Sequence, residues 1–207
     1  MRYTIHPSNL LEWFALKAGS VPRPILDTTL PIIQARALMA ANSCGVLRKL
    51  AERDMTAPEL ATALGLDREC LTLLLRVIAG LDYVARIGSK WALTTHGRRY
   101  FGPAAPESYE AFVEYGAAQW RFVEDLEDVL RSGKGIDFHA QQTPAEWQAY
   151  QRSMLENAKA FGWFVAQHTP VPSGALSCLD LAGSHGYVGG LLCERRRGRL
   201  AASIAPS

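Results

Sequence analysis

No run of 18 or more uncharged apolar residues occurs in the 207-residue chain, so the sequence offers no transmembrane helix. Residues 1–15 lack the pattern of a secretory signal: Arg2 is their only basic residue before Lys17, Pro7 interrupts the stretch, and Glu12 sits inside the short apolar run 10–16. Cysteine is scarce and scattered. Cys44, Cys70, Cys178 and Cys193 form neither a C-x-x-C zinc pattern nor the spacing of a disulfide framework, and are expected to be buried thiols in a reducing cytoplasm. The formal charge of +2 is too small to mark a nucleic-acid or acidic-membrane partner. None of His6, His96, His139, His168 and His185 pairs with Cys, Asp or Glu at metal-ligand spacing, so no metal site is expected. No Ser-His-Asp or Cys-His arrangement, internal repeat or low-complexity tract is legible. What is present is ordinary globular composition, 48% hydrophobic and 20% charged, which excludes disorder of the whole chain.

The hydrophobic pattern predicts a mainly helical protein. Ser8 is the expected cap of a short helix through Leu16, and Pro22, Pro24 and Pro31 are expected to hold an extended connector. Helical spacing covers 32–50, weakened in the middle by Gly45. Thr56 and Glu59 make a capping box for a helix that stops at Gly65, and Asp67 caps a second helix bearing Leu71, Leu74, Leu75 and Ile78. Two strand-like runs, 83–86 and 91–94, flank Gly88-Ser89-Lys90 as a hairpin, and Thr95 starts a last turn of helix. Residues 32–101 therefore read as a winged helix-turn-helix. Beyond a Pro/Ala linker, 108–130 reads as one long amphipathic helix whose polar side carries Glu124, Asp125, Glu127 and Asp128. A loop over 133–138 follows. The capping box Thr143/Glu146 then opens a helix to about His168, ended by Pro170 and Pro172. On its apolar side lie Trp147, Tyr150, Met154, Leu155, Phe161 and Phe164.

Ligand chemistry is suggested by one stretch, 176–189: a strand, a turn of small residues and the start of a helix. Such a turn lets backbone amides at a helix N-terminus approach a polar or anionic ligand. Asp180 falls at the strand's end, where α/β sheets bind their ligands. A dinucleotide fingerprint would read G-x-G-x-x-G with its acid about twenty residues later. Here the glycines fall as G-x-x-G-x-x-G and the acid precedes them. That order suits a cofactor with a cationic amino acid end, although a plain buried strand entering a tight turn fits the same residues.

The succession of short N-terminal helix, winged helix, two long helices and Leu-Asp-Leu-Ala-Gly-Ser-His-Gly resembles the S-adenosylmethionine-dependent O-methyltransferases that carry an N-terminal dimerisation domain. The resemblance covers about 30–193. It is strongest in Glu-Leu-Ala-Thr-Ala-Leu-Gly-Leu-Asp, in Leu-Thr-Thr-His-Gly-Arg-Arg-Tyr, and in the glycine turn. The family's turn reads Asp-x-Gly-Gly-Gly-x-Gly; Asp180, Gly183 and Gly186 match it, while Ala182 and Ser184 stand for glycines. The resemblance implies that Asp180, Gly183, Ser184, His185 and Gly186 hold S-adenosylmethionine. It implies too that aromatic residues of the long helices line an acceptor pocket, for which Trp120, Phe138, Trp147, Tyr150, Met154 and Phe161 are the candidates; core packing is the other reading of each. It further implies a cytoplasmic homodimer acting on a small hydroxylated molecule.

The expected organisation is an N-terminal arm and winged-helix dimerisation domain (1–101), linker helices (102–172) and the start of a Rossmann-like α/β methyltransferase domain (173–207). Too few residues follow Leu181 for even one further strand–helix–strand unit of roughly 30 residues. The family's ribose-gripping acid and its catalytic histidine have no counterpart here. The expectation is a truncated chain without independent activity, cut by a premature stop or frameshift near Glu194, with a solvated, disordered basic end. Two other functions are compatible with the same sequence. One is a dimerisation or regulatory module. The other is a winged-helix DNA reader, disfavoured because the helix after Asp67 offers mainly Arg68, Thr72 and Arg76 among leucines.

Overall fold

The computed structural model describes Pro7, residues 9–181 and 183–195, and the backbone of 201–205. Ser8 and Ala182, both singled out above, lie outside the described residues, as does most of the basic run 195–199.

Helix α1 (Leu10–Lys17) is capped by Asn9, whose side chain accepts from the Glu12 amide at 2.9 Å. The expected extended connector is instead helical: α2 (Arg23–Asp27) and the first turn of α3 (Thr29–Ser43) contain Pro24 and Pro31, in early positions where a missing N–H breaks no intrahelical bond. The helix expected over 32–50 divides, because Gly45 takes a left-handed φ of 76° and starts α4 (Val46–Glu52) in a new direction.

Strand β1 (Met55–Thr56), absent from the sequence reading, leads into α5 (Ala57–Leu64). There the Thr56/Glu59 capping box is fully formed and Gly65 is left-handed at the far end. Asp67 caps α6 (Arg68–Gly80) through the Cys70 amide at 2.8 Å. The hairpin is β2 (Val84–Ile87) and β3 (Lys90–Leu93), and β1 adds to β3 to give an antiparallel sheet of order β1-β3-β2. Helix α7 (Thr95–Tyr100) follows, capped by Thr94. Around this sheet Leu47, Leu50, Leu60, Leu75 and Ile78 are fully buried, with Met55, Val84, Trp91 and Phe101 beside them. Each such side chain contributes about 1.5–3 kcal/mol of burial.

The expected helix 108–130 breaks at Asp125 into α8 (Glu110–Glu124) and α9 (Leu126–Ser132), so Val123, Leu126 and Leu130 lie exposed. No side chain of Tyr109 caps α8. Glu156, from α10 (Pro144–His168), does so across space, accepting from the Ser108 hydroxyl (2.9 Å) and the amides of Ala111 (3.2 Å) and Phe112 (2.8 Å). Glu110 ties α8 back to the core: Arg48 donates to its carboxylate at 2.6 Å, the Gly102 amide at 2.6 Å, and Asn42 to its carbonyl at 3.0 Å.

Helix α10 follows its expected bounds, but its buried face does not. Ala149, Ser153, Gly162 and Ala166 face the protein, while Phe161, Trp163 and Phe164 face out. Small residues win this face because they let helices approach closely: a Cβ on Gly162 would stand 3.1 Å from the Tyr187 ring.

Strand β4 (Ser177–Leu181) and helix α11 (Tyr187–Arg195) complete the expected strand–turn–helix. The expected disordered end is corrected in part: β5 (Ala201–Ala205) runs parallel to β4, Asp180 opposite Ile204. A further correction concerns the thiols. Cys44 and Cys70 are exposed and Cys178 and Cys193 half-buried, all free. No single helix among the described residues is long and apolar enough to cross a membrane.

Candidate functional site

The turn after β4 is built around one carboxylate. Alternation along β4 directs Cys178 and Asp180 to the more covered side and leaves Leu179 and Leu181 on the open one. The half-buried Asp180 side chain lies against two glycines. A Cβ added at Gly183 would collide with its carboxylate, and one at Gly189 would stand 3.0 Å from Oδ2. A side chain at Gly183 would thus displace the acid from its seat, and one at Gly189 would crowd it. Among the described residues no Lys or Arg forms an ion pair with Asp180, which leaves a half-buried negative charge free for a cationic partner.

Gly186 closes the turn, donating its amide to the Gly183 carbonyl at 2.8 Å with φ of 68°. Ser184 also adopts positive φ, 51°, a conformation costing a non-glycine residue roughly 1–2 kcal/mol. Its hydroxyl donates to Gln151 Oε1 at 2.8 Å, fastening the turn to α10. His185 turns back to its own helix, Nδ1 accepting from the Tyr187 amide at 3.2 Å. Of the predicted site residues, Gly183 lies directly against Asp180, Gly186 closes the same turn, Ser184 is fastened to α10, and His185 is committed through one nitrogen to starting α11.

The pocket candidates separate. Trp147 and Tyr150 sit together, ring centroids 5.4 Å apart, and Phe138 joins Tyr150 at 6.2 Å. Trp120 lies elsewhere, beneath the Arg36 guanidinium at 5.6 Å, and Phe161 is 65% exposed; neither belongs to that cluster. Met154 is half-buried on α10. Three residues missed in the sequence complete the group. His139 lies 5.1 Å from Trp147. Tyr115, whose phenol is held neutral to higher pH by burial and then by Tyr150, lies 5.2 Å from Tyr150. Gln142 donates to the Tyr115 hydroxyl at 3.0 Å. Only Tyr115 had a local signal, its place on the apolar stripe of α8. A shallow depression of about 410 Å³ opens beside Trp147, lined also by Gln148, Gln151 and Arg152. Trp147 and Gln151 are four residues apart on one helix face, so the depression reaches the residue that holds Ser184.

No protein-family profile matches the chain and no curated protein matches it. Solved structures do. Mitomycin 7-O-methyltransferase superposes with a TM-score of 0.76 at 24% identity, over 93% of this chain and 60% of that one. Human N-acetylserotonin methyltransferase, solved with S-adenosylmethionine, gives 0.75 at 18% identity, over 97% and 60%. An O-methyltransferase family protein from Burkholderia thailandensis gives 0.71 at 20%, over 96% and 57%. The chain has the fold of the O-methyltransferases, mainly helical with a small antiparallel sheet. It spans less than two thirds of the length of these three structures.

Proposed function

We propose that this chain carries the helical domain and the first cofactor-binding turn of an S-adenosylmethionine-dependent O-methyltransferase of small hydroxylated molecules. The observation that carries the reading is the unpaired Asp180 carboxylate, seated on Gly183 and Gly189 at the mouth of α11. A cradle that two Cβ atoms would fill, holding one free negative charge, fits the cationic amino acid end of that cofactor. When bound, the cofactor supplies an electrophilic methyl group on a sulfonium. Asp180 would hold its ammonium, and the amides of Ser184 and His185 in the turn would meet its carboxylate. Trp147, one helical turn before the Gln151 that holds Ser184, would seat the acceptor together with Tyr150 beside it, with Met154 one helical turn beyond Tyr150.

Residues 1–101 form the arm and winged-helix dimerisation domain in this reading, 102–172 the linker helices, and 173–207 the start of the cofactor domain. Taken alone, these residues bind the cofactor weakly and do not turn over. Methyl transfer needs an oriented nucleophile and a base for its proton. Beside the turn the two-stranded sheet leaves Leu179 and Leu181 facing solvent, so the reacting groups are not screened from water. Calorimetric titration with S-adenosylhomocysteine tests the reading. Wild type should bind, and Asp180→Ala should weaken binding at least tenfold with an unchanged melting temperature. Equal affinities, or no heat at millimolar ligand, would sink it.

A second reading, self-association through the arm, is favoured by Leu10, Leu11 and Phe14, all exposed on α1. Light scattering at micromolar concentration should give a dimer, and a clean monomer would remove this reading. DNA recognition is not favoured. The outward side of α6 presents Leu73, and Thr72 spends its hydroxyl on the Arg68 carbonyl at 2.7 Å.

A further inference from the structure

We infer that Gln142 is a specificity-determining residue, reading the polar edge of a planar aromatic ligand seated against Trp147 and Tyr150. The inference deepens the acceptor site just proposed and rests on that reading.

Its starting point is an unsatisfied atom. Gln142 Nε2 donates to the Tyr115 hydroxyl at 3.0 Å, while Oε1 is buried with no hydrogen-bond partner. Turning the amide over does not help, since one polar atom then meets Tyr115 and the other takes the vacant place. A buried amide atom left unpaired is costly, and folded proteins seldom keep one without a use.

The surroundings define what would satisfy it. Gln142 ends the turn 138–141 that follows Asp137, whose carboxylate accepts from the Ala140 amide at 3.1 Å. That turn lays Phe138 and the exposed His139 against the α10 rings. The imidazole is 5.1 Å from Trp147 and tilted by 35° to it. His139 thus covers the part of the Trp147 face that a flat ligand would use. A ligand ring that displaces this imidazole swings the turn outward and uncovers Gln142. A hydroxyl or N–H on the ring's edge then pairs with Oε1, and the depression beside Trp147 leads from that ring towards Ser184.

The probes are 2-naphthol and 2-methoxynaphthalene, which share a ring system but differ in the donor. Binding is followed by NMR of the Trp147 indole, assigned with Trp147→Phe. Wild type should prefer 2-naphthol about tenfold, as one hydrogen bond to a buried group warrants. Gln142→Leu should abolish the preference; made together with Tyr115→Phe, which removes the phenol that Nε2 serves, it should melt no lower than Tyr115→Phe alone, because it then removes only unpaired amide atoms. Gln142→Glu keeps acceptor oxygens and should retain the preference. His139→Ala should tighten both probes. Absence of binding, a preference that survives in Gln142→Leu, or a lower melting temperature in the double variant than in Tyr115→Phe would each overturn the inference, the last by showing that the amide serves the fold. Because cofactor-product binding is measured separately, a chain that binds S-adenosylhomocysteine but shows no preference between the naphthalenes would refute this inference and leave the broader reading standing.

Discussion

Between residues 37 and 113 the chain closes a core in which Leu47, Leu50, Leu60, Leu75 and Ile78 lose all contact with solvent. The β4–α11–β5 unit, by contrast, leaves Leu179 62% and Leu181 72% exposed on one side of a two-stranded sheet. Both regions have turns whose glycines are needed and helices with defined starts. The difference is in what covers their apolar faces. The first region buries its own sheet beneath α4 and α6. In the second, a single helix covers one face of β4 and nothing among the described residues covers the other. Local signals are enough to form a strand, a turn and a helix; a core requires a second layer.

The comparison can be broken by substitution. The largest contrast is expected between Leu75→Ala and Leu179→Ala. The first should lower the unfolding free energy by about 2–5 kcal/mol and the second by less than about 0.5 kcal/mol, measured by urea denaturation. Equal losses would mean that the β4 face is covered in solution. A smaller effect is expected at the joint between α3 and α4. Gly45→Ala meets only the Leu64 methyl at 3.6 Å, so its cost of about 1–2 kcal/mol should come from the left-handed backbone alone. A neutral result would show that the joint can be rebuilt.

Removal of a capping hydroxyl should cost about 1 kcal/mol. Thr56→Ala lies within the packed region and should lower the main thermal transition. Thr143→Ala, at the start of α10, should act on whatever transition reports the α8–α10 pair; two separate transitions would sharpen the division between regions. The smallest effect concerns pH. Glu59 and Glu146 have their carboxyl pKa values lowered, first by the backbone amides of Thr56 and Thr143, and Asp67 by the Cys70 amide. Groups with depressed folded values add stability that is complete above the ordinary carboxylate range, near about 4, and is lost as pH falls through the folded values. Melting temperatures recorded from pH 7 to pH 3 should therefore fall, and Glu59→Gln should make that fall shallower.

Much of the molecule was legible because its signals are local. Both capping boxes, the Gly65 stop, the hairpin around Gly88 and the strand–turn–helix at Asp180 each depend on residues within a few positions of one another. The errors share a cause. Apolar spacing alone predicted an unbroken helix over 108–130 and an aromatic inner face for α10. Packing favoured the small side, placing Gly116 against Met39 and Gly162 against Tyr187. The acceptor candidates separate for the same reason: Trp120 and Phe161 have helical spacing, but only position in space gathers Trp147, Tyr150, Phe138, His139 and Gln142.

The amino-acid order by itself determined where most helices start, which glycines carry the tight turns, and that an acid precedes the glycine turn, because caps and backbone preferences act over a few residues. Tertiary structure alone decided that Glu156 caps α8 from another helix and that Glu110 fastens that helix to the core. It alone tied Ser184 to Gln151 and left one amide atom of Gln142 unpaired. Those contacts join residues far apart in the chain, and their energy exists only once the helices between them have packed.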